Sequence, residues 1–174
     1  KDGTLFVAVG DRSTGDPLPL QAQQLDTYLG KVIHILPDGK PAPGNPSLGL
    51  PGTWTLGHRT PQGLTFAPDG RLWEVEHGPR GGDELNVIEK GKNYGFPIIS
   101  YGREYSGELI NGGLTVKAGL EQPVYFWTPS IAPSGMTFYS GKLAPEWKDN
   151  LFIAAMSPRF GRKVVRLELQ DTPN

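Results

Sequence analysis

The feature that most constrains this chain is an internal repeat. Gly63-Leu64-Thr65-Phe66 resembles Gly135-Met136-Thr137-Phe138, 72 positions later, and each run follows a proline by two residues, Pro61 and Pro133. Each continues through a turn into a second β-rich run, Arg71–Glu76 and Asn150–Ala155. Asp2-Gly3-Thr4-Leu5-Phe6 matches Asp69-Gly70-Arg71-Leu72-Trp73 in the same way. Strand–turn–strand units at recurring intervals predict the sheets of a β-propeller. A β-sandwich with a chance repeat is the alternative. The interval exceeds the ~40–50 residues of an ordinary blade, which places long loops on one rim, where sites are usually built.

The local pattern agrees. Short apolar runs bounded by turn residues predict strands at Leu5–Val9, Lys31–Leu36, Gly63–Phe66, Arg71–Glu76, Glu84–Ile88, Pro123–Trp127, Gly135–Tyr139, Asn150–Ala155 and Lys163–Leu169. Turn signals separate them, as at Asp38-Gly39 and Pro68-Asp69-Gly70. Helical periodicity is nearly absent; Gln21–Leu29 predicts a turn or two, stopped by Gly30. The chain has 24 Gly and 17 Pro, roughly a quarter of its length against an ordinary ~12%. With this many aromatic and β-branched residues, a turn-dense all-β fold accounts for that excess better than disorder does. Two or three repeats do not close a propeller, and the opening Lys1-Asp2-Gly3 reads as the middle of a turn. The expectation is therefore that the chain covers roughly half of a single propeller domain, spanning residues 1–174.

Composition removes several function classes. The net charge is −1, without the basic excess of a nucleic-acid binder. No 18-residue apolar run exists, so no membrane span is expected. Cysteine is absent, which excludes disulfides, thiolate nucleophiles and zinc–thiolate sites.

Three stretches could carry chemistry. In Glu76-His77-Gly78-Pro79-Arg80-Gly81-Gly82-Asp83-Glu84-Leu85-Asn86 a strand runs into a loop rich in glycine and charge. Carboxylates and backbone carbonyls suit a hard cation such as calcium. The competing reading is a polar turn in which Asp83 and Glu84 cap backbone amides. Gly57-His58-Arg59-Thr60-Pro61-Gln62-Gly63 offers Arg59 for a bidentate pair with a carboxylate, against the reading of a surface arginine. Ser157-Pro158-Arg159-Phe160-Gly161-Arg162-Lys163 occupies, by the repeat, the blade position of His77–Arg80. Two basic loops at one rim are placed to converge on an anionic ligand, although charge runs are usually solvated. Tyr101 and Tyr105 are candidates for stacking on a ligand, whereas Tyr125 and Trp127 read as core. His34 reads as a structural histidine inside a strand.

Taken in order, Gly57–Leu64, Glu76–Asn86, Gly91-Lys92-Asn93-Tyr94-Gly95-Phe96-Pro97 and Pro129-Ser130-Ile131-Ala132-Pro133-Ser134-Gly135-Met136 resemble consecutive signatures of the soluble, pyrroloquinoline quinone (PQQ)-dependent aldose sugar dehydrogenases. The resemblance spans nearly the whole chain. It implies a six-bladed propeller with PQQ over the central channel, which oxidises the C1 hydroxyl of an aldose to the lactone and passes electrons to an external acceptor. It implies a periplasmic or secreted protein, monomeric or homodimeric.

Carried over residue by residue, the resemblance implies that Arg59 and Thr60 contact the quinone carboxylates, with Thr60 standing where the family has asparagine. Tyr105 matches a PQQ-contacting tyrosine. Ala155-Met156-Ser157-Pro158 corresponds to a cofactor-lining segment in which Arg159 or Arg162 stands in for a basic residue facing the quinone. For calcium, Glu84 and the backbone carbonyl of Tyr94 match one family site, and the carbonyls of Gly78 and Pro79 match the ion beside the quinone. The family's catalytic histidine precedes the strand that starts near Asp2, so no catalytic residue is expected in this chain, and the fragment alone is expected to be inactive. Two other readings stay open: a propeller that binds a carbohydrate or partner without redox chemistry, and a calcium-dependent lactonase-like hydrolase.

Overall fold

A computed structural model describes residues 2–12, 19–157 and 161–170. The described residues form ten strands: β1 (Leu5–Val9), β2 (Lys31–Ile35), β3 (Thr53–Leu56), β4 (Thr60–Phe66), β5 (Leu72–His77), β6 (Asp83–Ile88), β7 (Tyr125–Trp127), β8 (Pro133–Phe138), β9 (Leu151–Ala155) and β10 (Lys163–Leu167). They make three antiparallel sheets, each built from strands consecutive in sequence: β1-β2-β3, β4-β5-β6-β7 and β8-β9-β10.

The repeat found in the sequence is a repeat of register. Phe66 faces Leu72 and Leu64 faces Glu74 in one sheet; Phe138 faces Leu151 and Met136 faces Ile153 in the other. Both ladders carry a bulge at the same place, between Pro61 and Gly63 and between Pro133 and Gly135. Proline has no N–H to give a ladder, and a bulge is where strands tolerate it. The Pro-x-Gly pattern therefore marks one structural device used twice.

The sheets pack face to face through two seams. Strand side chains alternate, so Trp73 and Val75 point one way from β5 and meet Leu151 and Ile153, with Ala67 and Leu85 completing the cluster. Leu72, Glu74 and Glu76 point the other way, toward the β1–β3 sheet, where Leu72 packs with Ile88 and Tyr94 and with the partly buried Phe6, Trp54 and Leu64. Strand β5 is consequently buried on both faces.

Some elements depart from expectation. Strand β3 was not read from the sequence: Thr53-Trp54-Thr55-Leu56 is short and opens directly after Pro51-Gly52. The segment expected to turn helically over Gln21–Leu29 forms only a 3₁₀ turn at Gln21–Gln23. Tertiary bonds take its groups: the Ala22 carbonyl accepts from Gly57 N and Lys31 Nζ, and the Gln23 amide bonds Phe96 O. Trp127 packs on the central cluster as expected, but Tyr125 is 51% exposed because β7 is an edge strand. His34 is structural: its ring nitrogens meet Asn45 Oδ1 at 2.8 Å and Thr4 Oγ1 at 2.9 Å, and it stacks on Phe6. Among the described residues no helix is long and apolar enough to cross a membrane.

Candidate functional site

The loop after β5 is shaped by close backbone approach. A Cβ added to Gly78 would lie 2.0 Å from Gly81 O, and one added to Gly82 would lie 2.3 Å from Gly102 N. Only glycine permits such contacts, so the loop folds back on itself and presses against Tyr101–Gly102. The fully buried Asp83 then ties it to the next sheet. Asp83 Oδ1 accepts from Gly78 N, and Oδ2 accepts from Ser130 Oγ (2.7 Å), Ile131 N and Ala132 N (2.9 Å each). Ala132 is held at φ 51°, a left-handed conformation that costs a non-glycine residue ~1–2 kcal/mol and that these bonds offset. His77 Nε2 adds a 2.6 Å link to Pro133 O. The two readings of the acidic pair divide between its members: Asp83 caps amides, while Glu84 faces a cavity.

Beside this loop opens a cleft of about 610 Å³, lined among others by Pro79, Arg80, Arg103, Ser130 and Ser157. Arg103 is carried in on the following long loop, where its backbone N donates to Arg80 O and its guanidinium to Gly107 O. Among the described residues the lining holds two guanidiniums and no carboxylate. Such a recess favours an anion bearing carboxylates, which arginine meets in a bidentate fork.

Next to the cleft, a narrow cavity is lined by Arg59, Glu76, His77, Gly78 and Glu84, with Phe96 and Ser100 at its far side. Arg59 donates to His77 O at 3.3 Å and to the Tyr105 hydroxyl, and its guanidinium lies 5.9 Å from the Tyr105 ring centre. Among the described residues its Nε is buried without a partner, a donor left over for a ligand oxygen. Burial pushes the Glu84 carboxyl well above the usual carboxylate range, and the nearby Glu76 charge adds to it. A bound cation would relieve both effects.

The structure thus gathers Arg59, Gly78 and Glu84 at one cavity, Tyr105 on Arg59, and Pro79 with Ser157 at the adjoining cleft. Thr60 stands at the head of β4 opposite His77. Ala155 is buried in β9, whereas Met156 is 46% exposed and outside the cleft lining. Arg162 is exposed, one residue before β10, and Pro158 and Arg159 lie outside the described residues. The Tyr94 ring stacks on His58 at 4.7 Å, and its hydroxyl donates to Val87 O and accepts from Glu89 N; these are side-chain contacts, whereas the expected calcium ligand is its backbone carbonyl.

Sequence reasoning missed Arg103 and Ser130 as cleft residues. It also missed Glu74 and the way Glu74, Glu76, Asn86 and His58 meet, although the last three lie in stretches it singled out. A readable signal existed for the acidic pair: two glutamates spaced i, i+2 in a strand share a face. None existed for Arg103, which only the long loop brings to Arg80.

Comparison with known proteins agrees with this arrangement. The sequence model of the glucose/sorbosone dehydrogenase family matches residues 1–173. The aldose sugar dehydrogenase YliI of Escherichia coli is 40% identical over 90% of this chain, which spans 43% of that protein's length. A solved glucose dehydrogenase superposes with a TM-score of 0.87 at 40% identity, covering 98% of this chain and 49% of its own. The PQQ-bound form of the aldose sugar dehydrogenase of Streptomyces coelicolor superposes with a TM-score of 0.69 at 30% identity, covering 97% of this chain and 42% of its own. The three sheets are accordingly blades of a β-propeller, of which the chain supplies about half. With a family match over almost every residue and the same fold at 40% identity, this chain belongs to the glucose/sorbosone dehydrogenase family.

Proposed function

We propose that the protein containing this chain is a PQQ-dependent dehydrogenase that oxidises the C1 hydroxyl of an aldose to the lactone and hands the electrons to an external acceptor. The observation that carries this reading is the arginine arrangement: among the described residues, Arg59 Nε is buried without a partner beside a cleft that holds Arg80 and Arg103 and no carboxylate. That donor set fits a planar anion with several carboxylates. When bound, PQQ supplies the two-electron acceptor.

The chain's own residues have distinct tasks. Arg59 and the cleft arginines bind and orient the carboxylates, and their positive charge favours negative charge developing on a quinone oxygen. Tyr105 holds the Arg59 guanidinium. Asp83 keeps the Gly78–Pro79 loop and the Ser130–Ala132 segment in fixed relation, so the cleft needs no rearrangement on binding. Calcium fits the same region through the carboxylate of Glu84 and backbone carbonyls at Gly78 and Pro79, and would add positive charge beside the acceptor.

The test uses the full-length protein with PQQ, Ca²⁺, glucose and a dye acceptor. Turnover is expected, and Arg59→Ala should weaken PQQ uptake in an absorbance titration by ~10–100-fold, as expected for loss of a charged hydrogen bond of roughly 1.5–3 kcal/mol. A protein that takes up no PQQ would sink the reading and favour a non-redox binding propeller.

A further inference from the structure

The seam between the first and second sheets contains a buried polar group that meets the site above through Glu76, which lines the Arg59 cavity and whose Oε2 accepts from Arg59 N at 2.6 Å. Glu74 and Glu76 share one face of β5. Asn86 of β6 lies opposite Glu74 in the ladder, and His58, from the connection between β3 and β4, covers them. His58, Glu74 and Asn86 are 0% exposed and Glu76 is 3% exposed. Among the described residues, the ion-pair partner of both carboxylates is His58 alone. Two buried carboxylates beside one imidazole are costly in a medium of low dielectric, unless something positive lies between them.

The hydrogen bonds are incomplete in the same place. Asn86 Nδ2 donates to Glu74 Oε2 and Glu76 Oε1 at 3.2 Å each, and among the described residues Asn86 Oδ1 is buried without a partner. Glu74 Oε1 is likewise buried and unpartnered. In this orientation the amide NH₂ bridges the two carboxylates; turned over about its last bond, it would direct Oδ1 between them, the orientation that a cation there would favour. The spacing suits one. His58 Nδ1 is 3.4 Å from Glu76 Oε1 and 4.0 Å from Glu74 Oε2, and donors bound at ~2.0–2.2 Å to one ion lie no more than about 4.3 Å apart. All three side chains offer a ligand atom within 4.8 Å of the others. His58 Nε2 meets Thr55 Oγ1 at 2.9 Å, which fixes the ring with Nδ1 toward the acids, the usual outer support of a metal-bound imidazole.

We propose that His58, Glu74 and Glu76, joined by Asn86 Oδ1, hold one structural divalent cation of the zinc or manganese type. An imidazole nitrogen with carboxylate oxygens is a borderline donor set, whereas calcium takes oxygen ligands. This separates the site from the calcium position at Glu84. Because the ligands are sealed from water, the ion enters as the seam closes during folding.

The experiment refolds the full-length protein from urea with Zn²⁺, and separately with Mn²⁺ or Ca²⁺, dialyses each sample against a chelator, and measures retained metal and the thermal midpoint. The expected result is one equivalent of Zn²⁺ or Mn²⁺ per chain with a raised midpoint. Glu74→Gln, which keeps side-chain shape, should lose that equivalent, and Glu84→Gln should keep it. Should Glu74→Gln fail to fold, His58→Gln serves the same purpose. X-ray absorption of the zinc form should show one imidazole ligand. Wild-type protein that retains no zinc or manganese, retention by both Glu74→Gln and His58→Gln, or loss only in Glu84→Gln would each overturn the proposal. It does not depend on quinone binding, so turnover with PQQ leaves it undecided and the metal count settles it.

Discussion

The two inter-sheet seams occupy equivalent positions and are filled with opposite chemistry. By ladder register, Glu74 corresponds to Ile153, Glu76 to Ala155, Asn86 to Val165 and Glu84 to Lys163. In the second seam Ile153 and Leu151 are fully buried against Trp73, Val75 and Leu85. In the first, the same backbone places present Glu74, Glu76 and Asn86 to His58, and apolar packing is displaced toward Leu72, Ile88 and Tyr94. The backbone therefore asks these places only for burial. The apolar seam supplies burial energy of ~25 cal/mol per Å². The polar seam gives up part of that and depends on pairing instead. Division of labour follows: one seam holds the sheets together, and the other supports the residues under the site.

The comparison is most easily broken at Ile153. Ile153→Glu places in the apolar seam the residue type that its counterpart carries, without His58 or Asn86 to meet it. The expected loss is more than ~4 kcal/mol, seen as a collapsed urea midpoint or insoluble full-length protein; a near-normal midpoint would show the seams to be interchangeable. Asp83, which joins the two seams at the rim, comes next. Asp83→Asn replaces an acceptor by a donor facing buried amides and should cost at least ~3 kcal/mol while weakening PQQ uptake; unchanged uptake would show that the clamp does not position the cleft.

Lys31 gives a pH-dependent measure of the first sheet. It is 1% exposed, its Nζ donates to Ala22 O and Leu29 O, and burial lowers its pKa to about 8. The unfolded lysine, near 10.5, holds its proton to higher pH, so the folded state carries a cost below about pH 8 that fades as pH rises toward 10.5. Wild-type stability should gain on Lys31→Met between pH 7 and 10; parallel pH curves would refute this. The smallest effect belongs to the partly exposed Lys92–Glu121 pair at 2.9 Å: Lys92→Ala should leave the urea midpoint almost unchanged, and a clear shift would mean that pairs outside both seams matter.

Much of this architecture was legible in the sequence because blade repeats are local. Pro-x-Gly, a strand, a turn and a second strand recur within one short window, so both bulged ladders could be foreseen. The site was legible in part. Arg59, Gly78 and Glu84 sit in recognisable motifs, and the glycines carry their backbone requirement openly. Arg103 and Ser130 did not stand out, because a loop long in sequence and a clamp by Asp83 bring them to the cleft. Tyr94 sits in a plain motif that points to its backbone carbonyl; the structure adds that its ring packs on His58 and its hydroxyl serves the β6 backbone. The polar seam was hidden because burial on the far face of β5 depends on which sheet covers it.

The paired bulges have an evolutionary corollary. An extra residue near the head of β4 and of β8 resets which side of the ribbon each later or earlier side chain faces. Toward Phe66 and Phe138 the two ladders keep one register, with Leu64 opposite Glu74 and Met136 opposite Ile153, while Thr60 and Ala132 lie beyond the offset. Substitutions above the offset can thus explore new ligands without disturbing the phase below, which makes the blade a durable stem with an exchangeable crown.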